Sequence, residues 1–451
     1  MKKYLFLMLP LLSLALLQIS CKKYLERKPD KSLVIPSTVA DVQALLDNYD
    51  KMNKNYPFIA EGSSDNYYLT DADFNALTAQ RYKDLYTWGE EIVSNTYPND
   101  WSNSYDPVYY TNIALETLPN IERNKQNGQS WDNAKGSALF FRANYFLSSV
   151  TLWAKSYDSS TAATDPGIPL RLSSDFNIPS TRASVQETYT QVINDLKNAI
   201  PLLPETPVHV FRPSKAAAYA LLSRTFLYVQ DYAKAGKYAD SALMLHNYLL
   251  DFNTLNAAAN APIARFNPEV IIHFTSPAAS FIRNRIDSGL YNSYDKNDLR
   301  KLVFFKKNTT DDSYNFKGSY DGSTTMFCGI ATDEMLLTRA ECSARAGDIA
   351  NAMNDLNTLL RKRWKTGTFI PYTAQNSAAA LDLILTERRK ELLLRHLRWA
   401  DIKRLNVAGA GIVLTRKLNG QFITLPPNDN RYALPIPSIV IAMTGIEQNP
   451  R

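Results

Sequence analysis

Glu387 and Glu391 stand one helical turn apart, a spacing that could serve general acid–base chemistry. Arg395 falls four residues further on, and Arg388 with Leu392 marks a neighbouring face. Interleaved charges at this spacing satisfy one another. The cluster therefore reads as a structural ion-pair network beneath Trp399 that fixes the last helix. His209, His246, His273 and His396 are far apart in unlike contexts, and His396 reads as a packing residue, not a ligand. The sequence holds no H-E-x-x-H, G-x-S-x-G, P-loop or C-x-x-C pattern. Its scattered carboxylates give no positive sign of glycosidase chemistry. The expectation is a protein that is not an enzyme, with no metal and no cofactor.

The cysteine with the clearest chemistry is Cys21. Lys2 and Lys3 precede an uncharged apolar stretch, Tyr4–Ile19, and Ser20 sets a small residue before Cys21. That order reads as an export leader, residues 1–20, cleaved ahead of a cysteine whose sulfur is then acylated. Gln18 replaces the leucine usual three residues before such a cysteine. Several acyl chains at ~0.8 kcal/mol per buried methylene make a durable anchor. Cys328 and Cys342 cannot build a disulfide framework, and whether they bridge each other stays open. The formal net charge is +6, and the leader removes two of those positive charges. The remainder is nearly neutral and has no nucleic-acid footprint.

The elements that position these residues are mostly helical. Residues 21–36, charged and carrying Pro29 and Pro36, read as an extended tether, and 37–451 as a single domain. Thr38 caps a helix over Val39–Tyr49, and residues 56–100 read as irregular. Amphipathic spacing predicts helices over Asp106–Arg123, Asp132–Ser156, Ser184–Ile200, Lys215–Val229, Tyr232–Leu245, Asp333–Ala346, Ile349–Trp364 and Ala378–Arg404. Residues 250–328 are mixed, with strand candidates at Val270–Phe274 and Leu302–Lys306. Asn419-Gly420 signals a closing hairpin. Leu227–Ala235 echoes Ala344–Ala352, each placing an aspartate (Asp231, Asp348) between a small-residue helix and its returning partner. The fold expected is mostly α: degenerate tetratricopeptide-type helix pairs forming a scaffold, with long loops and a few short β-hairpins.

Specific motifs lie at the C-terminal end. Glu387-Arg388-Arg389-Lys390-Glu391-Leu392, followed by Arg398-Trp399-Ala400-Asp401-Ile402-Lys403-Arg404, resembles the SusD/RagB signature ERR-x-EL…RW-x-D-L-x-R. Leu434-Pro435-Ile436-Pro437 and Gln448-Asn449-Pro450 are similar to that family's terminal segments. Trp101, Tyr105 and Asn112 resemble its first repeat helix, and Cys21–Leu25 its post-cleavage start. The resemblance spans essentially the whole chain after the leader. Three departures stand out. Arg395-His396 occupies a place where the family often has Glu-Gly, Val440-Ile441 replaces an acidic step, and Lys22 and Lys23 are basic where surface-export signals tend to be acidic.

The resemblance implies a lipid-anchored outer-membrane protein, facing the cell exterior. It would bind oligo- or polysaccharide and deliver it to a SusC-like TonB-dependent β-barrel transporter. It also implies a shallow saccharide site built by loops. Sugars stack their C–H faces on aromatic rings, while Asn, Asp and Arg bond the hydroxyls. Two stretches carry that mixture. One is Asp65, Asn66, Tyr67 and Tyr68, with Arg81, Tyr82, Trp88, Tyr97 and Trp101 following. The other runs from Phe281 to Tyr294, with Arg283, Arg285, Tyr291 and Tyr294, and continues to Tyr314, Phe316 and Tyr320. Alternatives are an oligopeptide receptor of the same transporter class, or a tetratricopeptide adaptor with only protein partners.

Overall fold

The computed structural model describes residues 36–451 apart from Ala278; the leader, Cys21 and the tether before Pro36 lie outside the described residues. Helix starts follow side-chain caps. In α1, Val39–Leu46, Thr38 accepts from the Asp41 amide and Asp41 reaches back to the Thr38 amide. It stops before the predicted Tyr49, because Asn48 caps a separate turn, Tyr49–Met52. Helix α2, Asp100–Thr117, begins six residues before the predicted Asp106. Asn99 and Ser102 form its capping box, and Pro107 is accommodated inside it. Helix α3 covers Gly128–Trp153, and α4, Val185–Ala199, opens on a Ser184–Glu187 capping box. The scaffold continues through α5, Lys215–Tyr228, and α6, Tyr232–Leu245. It then takes in α7, Thr332–Arg345, and α8, Ile349–Arg361.

Successive helices from α2 to α6 pack on one another, and α6 then packs directly on α7, across the 86 residues that separate them in sequence. The internal echo is a geometric repeat. Asp231 (φ −84°, ψ 76°) and Asp348 (φ −85°, ψ 76°) cap α6 and α8 in the same conformation. Each follows a left-handed residue, Gln230 at φ 61° and Gly347 at φ 85°. Small side chains let these helices approach: Ala216, Ala217, Ala220, Ala235, Ala239 and Ala242 are buried between them. Predicted mostly-α pairs with long loops and short hairpins are what the chain forms.

Three predicted regions are corrected. Leu302–Lys306 is not one strand: a helical turn, Arg300–Val303, precedes a strand at Phe305–Lys307. Ala378–Arg404 is two helices, α9, Ser377–Glu391, and α10, Arg398–Val407. Between them Leu394 (φ 56°) and His396 (φ 63°) adopt left-handed backbone, which no helix tolerates. Residues 56–100 are less irregular than read, with short helices at Ile59–Ser63, Asp71–Asn75 and Gln80–Thr87. The closing hairpin pairs Leu414–Leu418 with Gln421–Leu425, and Asn419 and Gly420 both have positive φ, as a type I′ turn requires.

There are two buried apolar clusters. The larger fills the helix pairs. The second lies under residues 67–86 and 250–327 and is rich in rings: Tyr67, Tyr86, Phe252, Tyr294, Phe304, Phe305, Phe316, Tyr320 and Phe327. Among the described residues no helix is long and apolar enough to cross a membrane. Cys328 and Cys342 are both buried and free, so they form no bridge.

Candidate functional site

The acidic signature is wired into a buried ionic web. Arg300 Nη2 donates to Glu387 Oε2 at 2.5 Å and Arg300 Nη1 to Glu391 Oε2 at 3.0 Å. Arg363 Nε donates to Glu391 Oε1 at 2.7 Å, and its Nη2 to Glu269 Oε1 at 2.8 Å. Arg395 pairs with Asp333 at 2.7 Å. Arg388 bonds Asp401, and Arg404 bonds both Asp401 and Glu341. Burial opposes ionisation of Glu391, but Arg363 and Arg300 hold it down to about 2. A general acid or base needs an available proton site in reach of a substrate. Here Glu387 and Glu391 are buried and spent on arginines, as the structural reading expected. That reading is corrected in one detail: Arg395 lies beyond α9 and shares no helical face with the glutamates. Trp399, on α10, packs on Tyr432 at 4.9 Å between ring centroids.

The two aromatic stretches meet. Tyr67 and Ile286 form an antiparallel bridge; the Tyr68 amide donates to Arg285 O at 3.0 Å and the Asp287 amide to Asn66 O at 2.9 Å. The Ile286 amide donates to Tyr314 O. Arg285 clamps the junction by pairing with Asp73 and Asp311. Segments more than two hundred residues apart thus form one seam on the surface of the second core.

Half of the expected contact residues face inward. Tyr67 is 1% exposed, its hydroxyl donates to Gly62 O at 2.7 Å, and the Arg416 guanidinium lies over its ring. Asn66 is buried against Glu61, at 2.7 Å. Trp88 is buried with its indole N–H on Ser63 O. The Tyr294 hydroxyl donates to Lys390 O, and Tyr320 sits beneath the Arg395 guanidinium beside Glu269. These five are core residues here, closed to a ligand. Each hydroxyl or N–H found a protein partner only after burial, and sequence spacing alone does not show which partner. Asp65 is half-buried and committed: despite burial, Arg398 and Arg389 hold its carboxyl well below the usual range.

Tyr68, Arg81, Arg283 and Tyr291 remain half-exposed along the seam. Neighbours add to them. Tyr314 stacks on Tyr291 with centroids 3.6 Å apart, and Lys301 lies 4.9 Å from the Tyr291 ring. The Arg81 guanidinium lies 4.6 Å from the Tyr82 ring, and Tyr82 packs on Phe281 at 5.1 Å. Arg283 makes no ion pair or side-chain hydrogen bond among the described residues. A cleft of about 260 Å³ at Lys155, Lys403 and Tyr432, and an open groove of about 610 Å³ along Thr181–Gln191, share no lining residue with the seam.

Residues 23–227 match a SusD-like family model described as starch-binding associating with outer membrane, and residues 286–450 match the SusD/RagB family model. The chain belongs to the SusD/RagB family. No curated protein matches it. The fold is also that of a putative sugar binding protein from Bacteroides vulgatus, at 20% identity, TM-score 0.74, over 92% of this chain and 99% of that one. A SusD superfamily protein from Bacteroides thetaiotaomicron is similar at 21% identity and TM-score 0.73, over 92% of this chain and 100% of that one. Surface glycan-binding protein A from Bacteroides fluxus aligns at 18% identity and TM-score 0.67, over 92% of this chain and 100% of that one. The SusD/RagB signature here places His396 at φ 63°, a conformation in which the family's usual glycine carries no steric cost. His396 holds it through its amide on Glu61 Oε2 at 3.0 Å and Nδ1 on Pro57 O at 2.9 Å.

Proposed function

We propose that this SusD/RagB protein is a lipid-anchored, outer-surface glycan receptor that captures oligo- or polysaccharide and passes it to a TonB-dependent β-barrel transporter. The observation that carries the reading is the seam, where Tyr68, Tyr291 with Tyr314, Arg81 and Arg283 lie half-exposed on a braced surface. Family membership, with its outer-membrane description, and the sugar-binding and glycan-binding titles of its structural neighbours support it. Commitment of the signature carboxylates to arginines supports binding without turnover. A shallow wet site gives modest affinity, in the ~1 μM to 1 mM range. Such a site suits capture followed by hand-over.

Isothermal titration of the mature protein against glycan and oligopeptide panels, with product analysis of the same mixtures, tests this. Binding of a glycan without cleavage is expected. Release of cleaved products would end the non-enzyme reading, and peptide binding alone would favour a peptide receptor. A transporter barrel should co-purify from membranes. Cys21→Ala should move the protein out of the membrane fraction with its fold intact, and lipid label retained on that variant would defeat the anchor.

A further inference from the structure

Tyr97 is 65% exposed, yet its ring is tied down. Its hydroxyl donates to Asp106 Oδ2 at 2.7 Å and accepts from Lys51 Nζ at 2.9 Å, while Lys51 and Asp106 pair at 3.0 Å. The three groups close a triangle of hydrogen bonds through the tip of the tyrosine, leaving the faces of the ring open. Single exposed tyrosines are ordinary, and their rings usually sample several rotamers. Fixing one in advance removes the side-chain entropy a ligand would otherwise have to overcome. Lys51 and Asp106 are themselves partly open, their side chains 33% and 27% exposed. Tyr109 stands one turn beyond Asp106 on α2, 47% exposed and packed edge-on against Tyr110. Tyr97 follows the first aromatic stretch in sequence, but its hydroxyl bonds only Lys51 and Asp106, neither of them a seam residue.

We infer that Tyr97, Lys51, Asp106 and Tyr109 form a second saccharide platform, separate from the seam and selective for a neutral glycan. The ring of Tyr97 supplies a fixed flat surface for a sugar's C–H face. Beside it, the ammonium of Lys51 donates to ring hydroxyls and the Asp106 carboxylate accepts from them. One positive and one negative charge cancel, so the platform offers no net attraction to an acidic or a basic chain. A protein partner would also welcome exposed tyrosines, but this ring rises from an ion pair whose charged groups suit sugar hydroxyls. The inference takes its class of ligand from the function proposed above, and otherwise stands on its own geometry.

The test uses the mature protein, a panel of neutral oligosaccharides (maltoheptaose, cellohexaose, mannohexaose and xylohexaose) and polygalacturonate as the acidic control. Affinity electrophoresis and titration are compared for wild type, Tyr97→Ala, Tyr97→Phe and the seam variant Tyr291→Ala. Tyr97→Ala is expected to weaken binding of the responsive neutral glycan about five-fold, the worth of one stacking ring, with melting unchanged. Tyr97→Phe keeps the ring and frees its tip, so it should fall between wild type and Tyr97→Ala. Full affinity in Tyr97→Ala alongside loss in Tyr291→Ala would overturn the platform and leave the seam standing. Loss of transporter co-purification in Tyr97→Ala, with glycan affinity intact, would reassign the patch to a protein contact. Absence of glycan binding by wild type would overturn both readings.

Discussion

The two buried clusters of this molecule are built by different rules. Between the helix pairs, alanines and branched aliphatics pack by helical periodicity alongside buried rings, and side-chain bonds such as Arg224 to Glu334 tie the helices together. Under the seam, rings dominate, and partners far along the chain hold some of them, as with the Tyr294 hydroxyl on Lys390 O and the Arg416 guanidinium over the Tyr67 ring. The contrast shows where each half gets its stability. The scaffold's helix starts are specified by their own neighbours in sequence. The seam half is specified by what it is bolted to, and the bolt is the ionic web in which Arg300 crosses to Glu387 and Glu391.

Breaking that bolt should have the largest effect. Glu391→Ala leaves both Arg300 and Arg363 short of a partner inside the protein, and losing one member of a buried pair costs about 3–5 kcal/mol. Amide exchange should show residues 250–328 losing protection ahead of the helix pairs. Uniform loss everywhere would mean that the two halves are one cooperative unit. Trp399→Ala strikes the scaffold side alone, where removing a buried indole costs ~3–5 kcal/mol, and it should lower Tm without singling out the seam half.

A subtler test uses pH. Burial, with the Asp333 and Glu391 carboxylates close by, pushes Glu269 up to about 8 even with Arg363 against it. Arg363, Tyr320, Asp333, Glu391 and the Leu250 amide are the groups facing it. The folded protein therefore holds a proton that the unfolded chain gives up near the ordinary carboxyl range. That contribution is complete below the ordinary range and is lost as pH rises toward 8, with a slope of at most about 1.4 kcal/mol per pH unit. Urea midpoints should fall from pH 5 to 8.5 in wild type and stay flatter in Glu269→Gln. A parallel fall in both would move the proton elsewhere. The smallest structural effect belongs to the seam surface. Tyr68→Ala and Tyr291→Ala should leave melting within about 1 kcal/mol of wild type and each weaken glycan binding about five-fold. A large drop in stability would mean that these rings are core.

The same contrast explains what could be read from sequence. Thr38, Ser184, Ser214, Asp231 and Asp348 announce helix starts through their own neighbours, and Asn419-Gly420 announces a turn. The break between α9 and α10 gave no such sign, because leucine and histidine, not glycine, hold its left-handed positions. At the site, the right stretches were legible from composition, but their orientation was not. Tyr67 and Tyr68 are adjacent and chemically identical; the strand pleat sends one inward and the other outward, and the bridge to Ile286 sets which. The junction of the two stretches has no local signal at all.

The Asp65 clamp, with Arg398 at 2.7 Å, also bears on the order in which the molecule can be made. Its partners are 333 residues apart, and Arg416 reaches back 352 residues to Ser64. Asn449 closes on Trp153 O, 296 residues earlier. A ribosome feeding out this chain releases the aromatic stretch long before anything that can shut it. Contacts of such long range slow folding, and these ones cannot form until nearly all of the polypeptide has emerged.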